Sequence, residues 1–403
     1  MTFKILAARD FGEIDNEMVA GSTTSQLAQS AATAVPQIKS WPGYAPTPLV
    51  NLSGLAKSTN IAKLAIKDEA TRFGLGSFKA LGGAYAIARL LGEKAKAETG
   101  EHGTLEFLLS EAGQKANANL TVCCATDGNH GRSVAWGAQM FGCGCVIFIH
   151  ETVSDERKRA IEFYGANVVR TAGNYDDSVR EAKDQALANG WTVVSDTSYE
   201  GYRDIPLDVM AGYSVMAREA IEQWGAENPP THVFLQTGVG AMAASIVVQL
   251  QQVYGDACPK IILCDPMKAA CWFDSLKDGS PRVVTGDLDT IMAGLACGEV
   301  SQLAWDILND CVAAVIAIDD DAAENAMRVL SAGANQDALM VAGESGVGGL
   351  AAFLAVAQDE EARATLSITN QSGLLFFSTE GATDVAVYRA IVGKSPDDVA
   401  NNR

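Results

Sequence analysis

The chain is poor in positive charge and has no long apolar run. Thirty Lys and Arg stand against 49 Asp and Glu, and the net charge at pH 7 is −19. Nucleic acids and anionic membranes attract basic patches, so this balance argues against both as partners. No apolar run approaches the roughly 20 residues that span a bilayer. Residues 1–10 show neither the apolar core nor the cleavage site of a signal peptide, and we expect a cytoplasmic protein.

Cysteine and histidine are too scattered for a disulfide framework or a zinc site. The chain has 9 Cys and 4 His, without a C-x-x-C or an H-E-x-x-H pattern. Disulfide scaffolds and structural zinc sites need such regular spacing, so no metal is expected. Most cysteines lie in apolar runs, where they are expected to be buried. Cys271 and Cys297 lie in polar, glycine-rich surroundings, and the sequence leaves open whether they pair.

What the chain does contain is an alternation of short apolar runs and helical patterns. Its 403 residues, 48% of them hydrophobic, can bury a large core and favour two or more domains. Runs such as 121–125 and 232–236 lead through glycine-containing turns into helices, which is typical of βαβ units with parallel sheets. We therefore predict two doubly wound α/β domains. Residues 1–84 with 196–403 form the larger one, and residues 85–195 form a smaller inserted one.

One lysine follows a glycine-rich stretch and precedes a helix of small residues. Residues 73–80 read Phe-Gly-Leu-Gly-Ser-Phe-Lys-Ala, so Lys79 comes directly after Phe78. Glycine lets the backbone approach a ligand closely. A lysine that loses its hydration has a lowered pKa, and its neutral amine can form a Schiff base with a carbonyl. The alternative is an ordinary lysine in the first turn of an amphipathic helix, and this stretch alone does not decide between the two.

Three strand-to-helix loops are candidates for one ligand site, because parallel α/β sheets bind ligands beyond the carboxyl ends of their strands. Residues 238–242, here called the glycine loop, open a helix with free amide groups that suit a phosphate. Residues 126–131 offer Asp127 as a general base or a binder of a cationic amine, or else as a helix N-cap. In residues 378–381, a hydroxyl either bonds a ring nitrogen or caps the next turn.

The glycine loop also matches a dinucleotide-binding fingerprint. Gly238, Gly240 and Ala243 follow a strand and open a helix, and Asp265 ends the next strand, somewhat beyond the usual spacing of about 20 residues. On this loop alone, an NAD-dependent oxidoreductase is an alternative, as is simple close packing of a helix on a strand.

Three motifs in order identify a family. The Ser-Phe-Lys at 77–79, the Gly-Asn-His-Gly turn at 128–131 and the glycine loop together resemble the fold-type II pyridoxal-phosphate enzymes, which are tryptophan synthase β-like. The resemblance runs from about residue 40 to 385 and displaces the dinucleotide interpretation, because it explains Lys79 as well. It implies pyridoxal 5′-phosphate as cofactor, an active site in the cleft between two open-sheet domains, and a homodimer.

The resemblance also implies a role for each matching residue. Lys79 would hold the cofactor as a Schiff base, Phe78 would flank its ring, and Asn129 would bond its 3′-oxygen. Ser378, or alternatively Thr379, would face the pyridine nitrogen, and a hydroxyl there favours β-elimination. The phosphate would lie on the backbone of Gly238, Val239, Gly240, Ala241 and Met242.

Within the superfamily, the chain resembles the diaminopropionate ammonia-lyases. The resemblance rests on residues 72–85, 125–131, 196–202, 291–299 and 378–384. That family converts the small amino acid 2,3-diaminopropionate, often as both enantiomers, through an aminoacrylate to pyruvate and two molecules of ammonia. The implied activity is that of a carbon–nitrogen lyase.

The implied chemistry gives Lys79 and Asp127 matching tasks on opposite faces of the substrate. Lys79 would take the α-proton of the L-isomer and Asp127 that of the D-isomer. Asp196 would hold the substrate's ammonium group, or else cap a turn. Further substrate contacts would come from Ser77, Thr126, Gly128 and His130. A dehydratase-like lyase acting on L-serine or L-threonine is an alternative, although dehydratases usually have Ser or Ala in place of Asp127. A non-catalytic cofactor-binding module is the other alternative.

Overall fold

The computed structural model describes residues 1–7, 22–100, 103–126, 128–173 and 175–402. The chain divides into two compact units. Unit 1 comprises Met1–Ala28, Ala45–Ser77 and Met216–Arg403, and unit 2 comprises Gln29–Tyr44 and Phe78–Val215. The predicted domains, residues 1–84 with 196–403 and residues 85–195, stay a prediction.

The strands are mostly short apolar runs. In chain order they are β1 (Phe3–Ala7), β2 (Leu49–Asn51), β3 (Lys63–Asp68), β4 (Thr121–Ala125), β5 (Gly144–Ile149), β6 (Asn167–Arg170), β7 (Thr192–Val193), β8 (His232–Gln236), β9 (Lys260–Pro266), β10 (Val312–Ile318) and β11 (Gly373–Ser378).

The helices range from short turns to two long helices of 21 residues. They are α1 (Ser22–Lys39), α2 (Ser53–Ser58), α3 (Lys79–Thr99), α4 (Leu105–Leu109), α5 (Glu111–Asn117), α6 (Asn129–Phe141), α7 (Asp155–Glu162), α8 (Tyr175–Asn189), α9 (Asp204–Trp224), α10 (Ala241–Tyr254), α11 (Cys271–Asp278), α12 (Gln302–Leu308), α13 (Asp320–Ala332), α14 (Gly348–Val356), α15 (Glu360–Leu366), α16 (Val385–Val392) and α17 (Pro396–Ala400). No described helix is both long and apolar enough to cross a bilayer.

Unit 1 is built on a seven-stranded sheet in the order β1-β10-β9-β8-β11-β3-β2. The five inner strands are parallel, and the edge strands β1 and β2 pair antiparallel. Every residue of β8 and β10 is buried, as expected for strands covered on both faces. Three aromatic rings contribute to the core: Phe234 and Phe376 stack with centroids 5.1 Å apart, and both rings contact Phe353.

Unit 2 contains a parallel four-stranded sheet in the order β6-β5-β4-β7. Its strands alternate with helices along the chain, so the sheet is doubly wound as predicted. A small apolar core lies between this sheet and α8, where Val146 and Phe148 pack with Ala182 and Ala186. The two sheets confirm the predicted α/β fold class.

Unit 1 also buries two cations against two carboxylates. Arg72 donates from Nε to Glu69 Oε2 and from Nη2 to Glu219 Oε2, both at 2.8 Å, and Lys67 Nζ lies 2.7 Å from Glu219 Oε2. None of the four side chains is more than 1% exposed. Burial alone would raise the pKa of Glu219, but Arg72 and Lys67 hold this pKa below its ordinary value. The balanced charges allow burial and tie β3 to α9.

Candidate active site

Lys79 is the first residue of α3, and two aromatic rings flank its side chain. Its Nζ lies 5.5 Å from the ring centroid of Phe78 and 5.8 Å from that of Tyr213 on α9. The two rings are 4.7 Å apart. Gly82 leaves room for Tyr213, because a Cβ there would lie 2.4 Å from Tyr213 Cε1. The rings favour a cation at the Lys79 nitrogen and fix the direction of its side chain.

Asp196 is the charge partner of Lys79. Lys79 Nζ and Asp196 Oδ2 form an ion pair, and both side chains are only partly exposed. Burial alone would raise the pKa of Asp196, but the ammonium of Lys79 holds this pKa below its usual range. Asp196 is therefore an ionised carboxylate at neutral pH, and it can bind an ammonium group.

His130 lies buried in the first turn of α6 and is held in one tautomer. Its Nε2 lies 2.8 Å from the carbonyl oxygen of Val194, and because a carbonyl only accepts, Nε2 carries the hydrogen. Burial lowers the pKa of His130, which favours the neutral ring. Its Nδ1 then has a lone pair, accepts no hydrogen bond from the described residues and lies 4.0 Å from Asp196 Oδ2. Nδ1 of His130 and the carboxylate of Asp196 are thus two hydrogen-bond acceptors that lie close together.

The turn before α6 is organised by Thr126. Its Oγ1 accepts hydrogen bonds from the amides of Gly128 at 3.1 Å and of Gly131 at 3.3 Å. A Cβ on Gly131 would lie 2.3 Å from Thr126 Cγ2, so this position needs glycine. Asn129 follows as the first residue of α6. Asp127 lies outside the described residues, and its role stays a prediction.

In unit 1, the glycine loop connects β8 to α10 as predicted. Gly240 has φ +94°, and a Cβ on it would lie 2.2 Å from Trp272 Cζ2. A Cβ on Gly238 would lie 2.9 Å from Cys297 Sγ. The amide groups of residues 238–243 donate to no acceptor among the described residues. The first turn of α10 lacks intrahelical acceptors for its amides and carries the positive end of the helix dipole, so the loop suits a phosphate.

The two hydroxyls after β11 differ in their partners. Ser378 is fully buried, and its Oγ has no hydrogen-bond partner in the described part of the chain. Thr379 Oγ1, by contrast, accepts a hydrogen bond from Gln236 Nε2 at 3.0 Å. A buried hydroxyl without a partner is costly, so Ser378 is suited to a ligand atom such as a ring nitrogen. The glycine loop and Ser378 therefore fit the phosphate and pyridine groups of pyridoxal phosphate.

Asp265 does not fill the role that a dinucleotide site would give it. It is fully buried, Oδ1 accepts a hydrogen bond from Thr237 Oγ1, and Oδ2 accepts one from the amide of Phe273 at 2.9 Å. Protein donors therefore occupy the carboxylate oxygens that a ribose would need. This geometry argues against the oxidoreductase alternative.

The structure distributes the predicted site residues over both units. Unit 2 brings Lys79, Asp196 and His130 together in one cluster. Phe78, Thr126, Gly128 and Asn129 belong to the same unit. Unit 1 holds Ser77, the glycine loop, Ser378 and Thr379. The cysteines, including Cys271 and Cys297, form no disulfide bonds.

Sequence reasoning missed Tyr213 and Trp272, which lie within helices and belong to no motif. The signal that could have indicated them is indirect. Gly82 and Gly240 are the positions whose missing side chains make room for these rings.

Comparison with known proteins agrees with this site. Residues 40–369 match the family model described as pyridoxal-phosphate dependent enzyme. A diaminopropionate ammonia-lyase of Escherichia coli K12 is 42% identical over 391 residues, which cover 96% of this chain and 97% of the relative. The holo structure of the Escherichia coli enzyme has a TM-score of 0.86 at 39% identity and covers 97% of both chains. Its complex with an aminoacrylate-PLP azomethine reaction intermediate has a TM-score of 0.83 at 38% identity, with 97% of both chains covered.

These matches confirm the predicted fold type and cofactor. The likeness extends over nearly the whole length of both chains, so it includes the segments around Lys79, the glycine loop and Ser378 alike. The chain belongs to the diaminopropionate ammonia-lyase family of pyridoxal-phosphate-dependent enzymes.

Proposed function

We propose that this chain is a carbon–nitrogen lyase that converts 2,3-diaminopropionate to pyruvate and two molecules of ammonia by α,β-elimination. The observation that carries the proposal is the ionised carboxylate of Asp196 beside Lys79, in a chain 42% identical to a diaminopropionate ammonia-lyase. A carboxylate suits a substrate with a second ammonium group better than one with a neutral hydroxyl.

The following residues of this chain are assigned to cofactor binding. Pyridoxal phosphate, when bound, supplies an electron sink for the electrons left at Cα after loss of the α-proton. Lys79 holds its aldehyde carbon, Phe78 flanks its ring, and Asn129 bonds its 3′-oxygen. The glycine loop holds the phosphate. Ser378 faces the pyridine nitrogen, a choice supported by its unpartnered Oγ and by the engagement of Thr379 with Gln236.

Asp196 exchanges one ammonium partner for another between the cofactor-free protein and the enzyme with cofactor and substrate bound. It pairs with Lys79 in the protein alone, and it accepts the distal ammonium of the substrate together with Nδ1 of His130. Holding that group protonated lets it leave as neutral ammonia. The exchange also removes the counter-ion of Lys79, which favours the neutral amine that can accept a proton.

Proton removal at Cα is divided between two residues. Lys79 takes the proton of the L-isomer. Asp127 takes that of the D-isomer from the opposite face, an assignment supported by its position in the sequence between Thr126 and Gly128. Ser77, Thr126 and Gly128 complete the contacts to the substrate.

We further propose that the protein acts in the cytoplasm as a homodimer on a free amino acid, without nucleic acid or membrane partners. The net charge of −19 supports the last point, because anionic surfaces repel such a protein. Twofold dimers are the commonest soluble oligomers.

The test measures release of the 2-oxo acid product, which is pyruvate from D- and L-2,3-diaminopropionate and from L-serine, and 2-oxobutyrate from L-threonine. The purified protein's absorbance spectrum is recorded first, so that bound cofactor is verified before turnover is measured. We expect a yellow protein that releases pyruvate fastest from diaminopropionate. A yellow protein that acts only on serine or threonine would replace the proposal with a dehydratase activity.

A further inference from the structure

The carbonyl of Gly238 is held from behind the glycine loop by a tryptophan. Trp272 Nε1 donates a hydrogen bond to the Gly238 oxygen at 3.1 Å. The same indole covers Gly240, where a Cβ would lie 2.2 Å from Cζ2. Trp272 is fully buried and stacks on Trp305 with ring centroids 5.9 Å apart. The ring of Trp272 therefore packs against one side of the loop in a fixed orientation.

The next two carbonyls of the loop are fixed as well. The amide of Ser301 donates to the Val239 oxygen at 2.9 Å, and the amide of Ala244 donates to the Gly240 oxygen at 3.0 Å. In a trans peptide, the carbonyl and the following N–H point in opposite directions. Holding three successive carbonyls on the protein side therefore directs the three following N–H groups, of residues 239–241, to the other side. The hydrogen bond from Trp272 is made by a side chain, and the thiol of Cys271 makes a longer one, at 3.6 Å, to the same Gly238 oxygen.

Asp265 in turn fixes the start of the helix that carries Trp272. Its Oδ2 accepts a hydrogen bond from the amide of Phe273, in the first turn of α11, at 2.9 Å. Its Oδ1 accepts one from Thr237, the residue before the glycine loop. One buried carboxyl group thus joins the beginning of the loop to the helix turn behind it.

We propose that Trp272 is a positioning residue for the cofactor phosphate, and that Asp265 acts through Trp272 by fixing the first turn of α11. The inference rests on the proposed role of the glycine loop as the phosphate site. It explains why an acidic residue ends the strand after that loop without any contact to a ribose. It also gives a role to the N–H group of the Trp272 indole, in addition to the packing of its ring.

The test compares pyridoxal phosphate with pyridoxal, which lacks the phosphate. Full-length apoprotein is titrated with each compound, and the absorbance of the bound form gives the two dissociation constants. Trp272→Phe keeps the aromatic bulk but removes the donor, so we expect about tenfold weaker binding of pyridoxal phosphate and unchanged binding of pyridoxal. Trp305→Phe, which alters the partner ring of the same stack, is the matched control and is expected to leave both constants unchanged.

A double-mutant cycle tests whether Asp265 acts through Trp272. Asp265→Asn alone is expected to weaken pyridoxal phosphate several-fold, and to add nothing in the Trp272→Phe background. Additive effects, or an equal loss for pyridoxal and pyridoxal phosphate, would overturn the inference. If Trp272→Phe does not fold, the dissociation constants of pyridoxal phosphate and pyridoxal are compared between Asp265→Asn and the wild type alone.

Gly240→Ala separates failure of this inference from failure of the loop assignment. If it selectively weakens pyridoxal phosphate while Trp272→Phe does not, the loop holds the phosphate and the role of Trp272 is wrong. If neither variant distinguishes the two compounds, the phosphate lies elsewhere, and both the assignment and the inference fail.

Discussion

Replacing Asp196 with asparagine should reduce the preference of the enzyme for diaminopropionate over serine. In the structure, this carboxylate pairs with Lys79, and its pKa is held low enough to keep it ionised. The substitution would keep the size of the side chain and remove its charge. The distal ammonium of diaminopropionate would then lose its anionic partner, whereas the neutral hydroxyl of serine would lose little.

The size of the effect follows from how far the carboxylate is buried. Removing one partner of a fully buried ion pair costs about 3–5 kcal/mol, and an exposed pair contributes at most about 1 kcal/mol. The Asp196 side chain is 16% exposed, which places it between these limits, at about 2–3 kcal/mol. At about 1.4 kcal/mol per factor of ten, kcat/KM for diaminopropionate should fall roughly 30- to 150-fold.

The assay measures pyruvate formation from both substrates by wild type and Asp196→Asn, each with its cofactor content determined by absorbance. The ratio of the two kcat/KM values is the decisive quantity, because any general effect on Lys79 cancels in it. We expect this ratio to fall at least about tenfold. Asp204→Asn, an exposed aspartate at the start of α9, is the control. Equal losses for diaminopropionate and serine would refute the role of Asp196 as the ammonium partner.

Three further predictions concern other carboxylates. Asp127→Asn should abolish turnover of D-diaminopropionate and spare much of the L-turnover, and equal loss of both in the pyruvate assay would contradict the two-base assignment. Glu219→Gln should lower the free energy of unfolding by about 3–5 kcal/mol, because Lys67 and Arg72 lose a shared counter-ion. The exposed Glu222→Gln should change it by less than about 0.5 kcal/mol in the same denaturant titration, and similar values for both variants would count against the buried network. Burial raises the pKa of Asp265 to about 7, so the folded protein binds this proton more tightly than the unfolded chain does. The free energy of unfolding of the wild type should therefore fall by up to about 1.4 kcal/mol per pH unit as the pH rises from ~4 to ~7. Asp265→Asn should remove this loss. Parallel curves of the free energy of unfolding against pH for the two proteins would contradict the prediction.

The features that could be predicted from the sequence are those encoded by neighbouring residues. The glycine-rich stretch before Lys79, the glycine loop and the Ser-Thr pair at 378–379 are local signals, since turn geometry and helix starts depend on a few adjacent residues. Apolar runs likewise predict strands such as β9 and β11. These signals were sufficient for the α/β fold class, whereas the cofactor was implied by the resemblance of the ordered motifs to a known family.

The remaining features depend on contacts between distant segments. Tyr213 reaches Lys79 because α9 packs closely on α3 at Gly82, and no periodicity in either helix encodes that ring. β1 joins the sheet by pairing with β10, with Phe3 opposite Ile318, and nothing within residues 1–7 specifies that register. The alternation in β3 suggests a polar face, yet Lys67 is fully buried because Glu219 neutralises it. Such pairings arise from the tertiary fold, which a single sequence does not display.

The most direct test of the central claim is the ratio of ammonia to pyruvate produced from L-2,3-diaminopropionate by the purified, cofactor-loaded protein. Elimination of the distal amine followed by hydrolysis of the product predicts two molecules of ammonia for each pyruvate, because both nitrogens leave the carbon chain. Serine, with one nitrogen, should give equal amounts wherever it reacts at all. Pyruvate from serine with none from diaminopropionate would contradict the account.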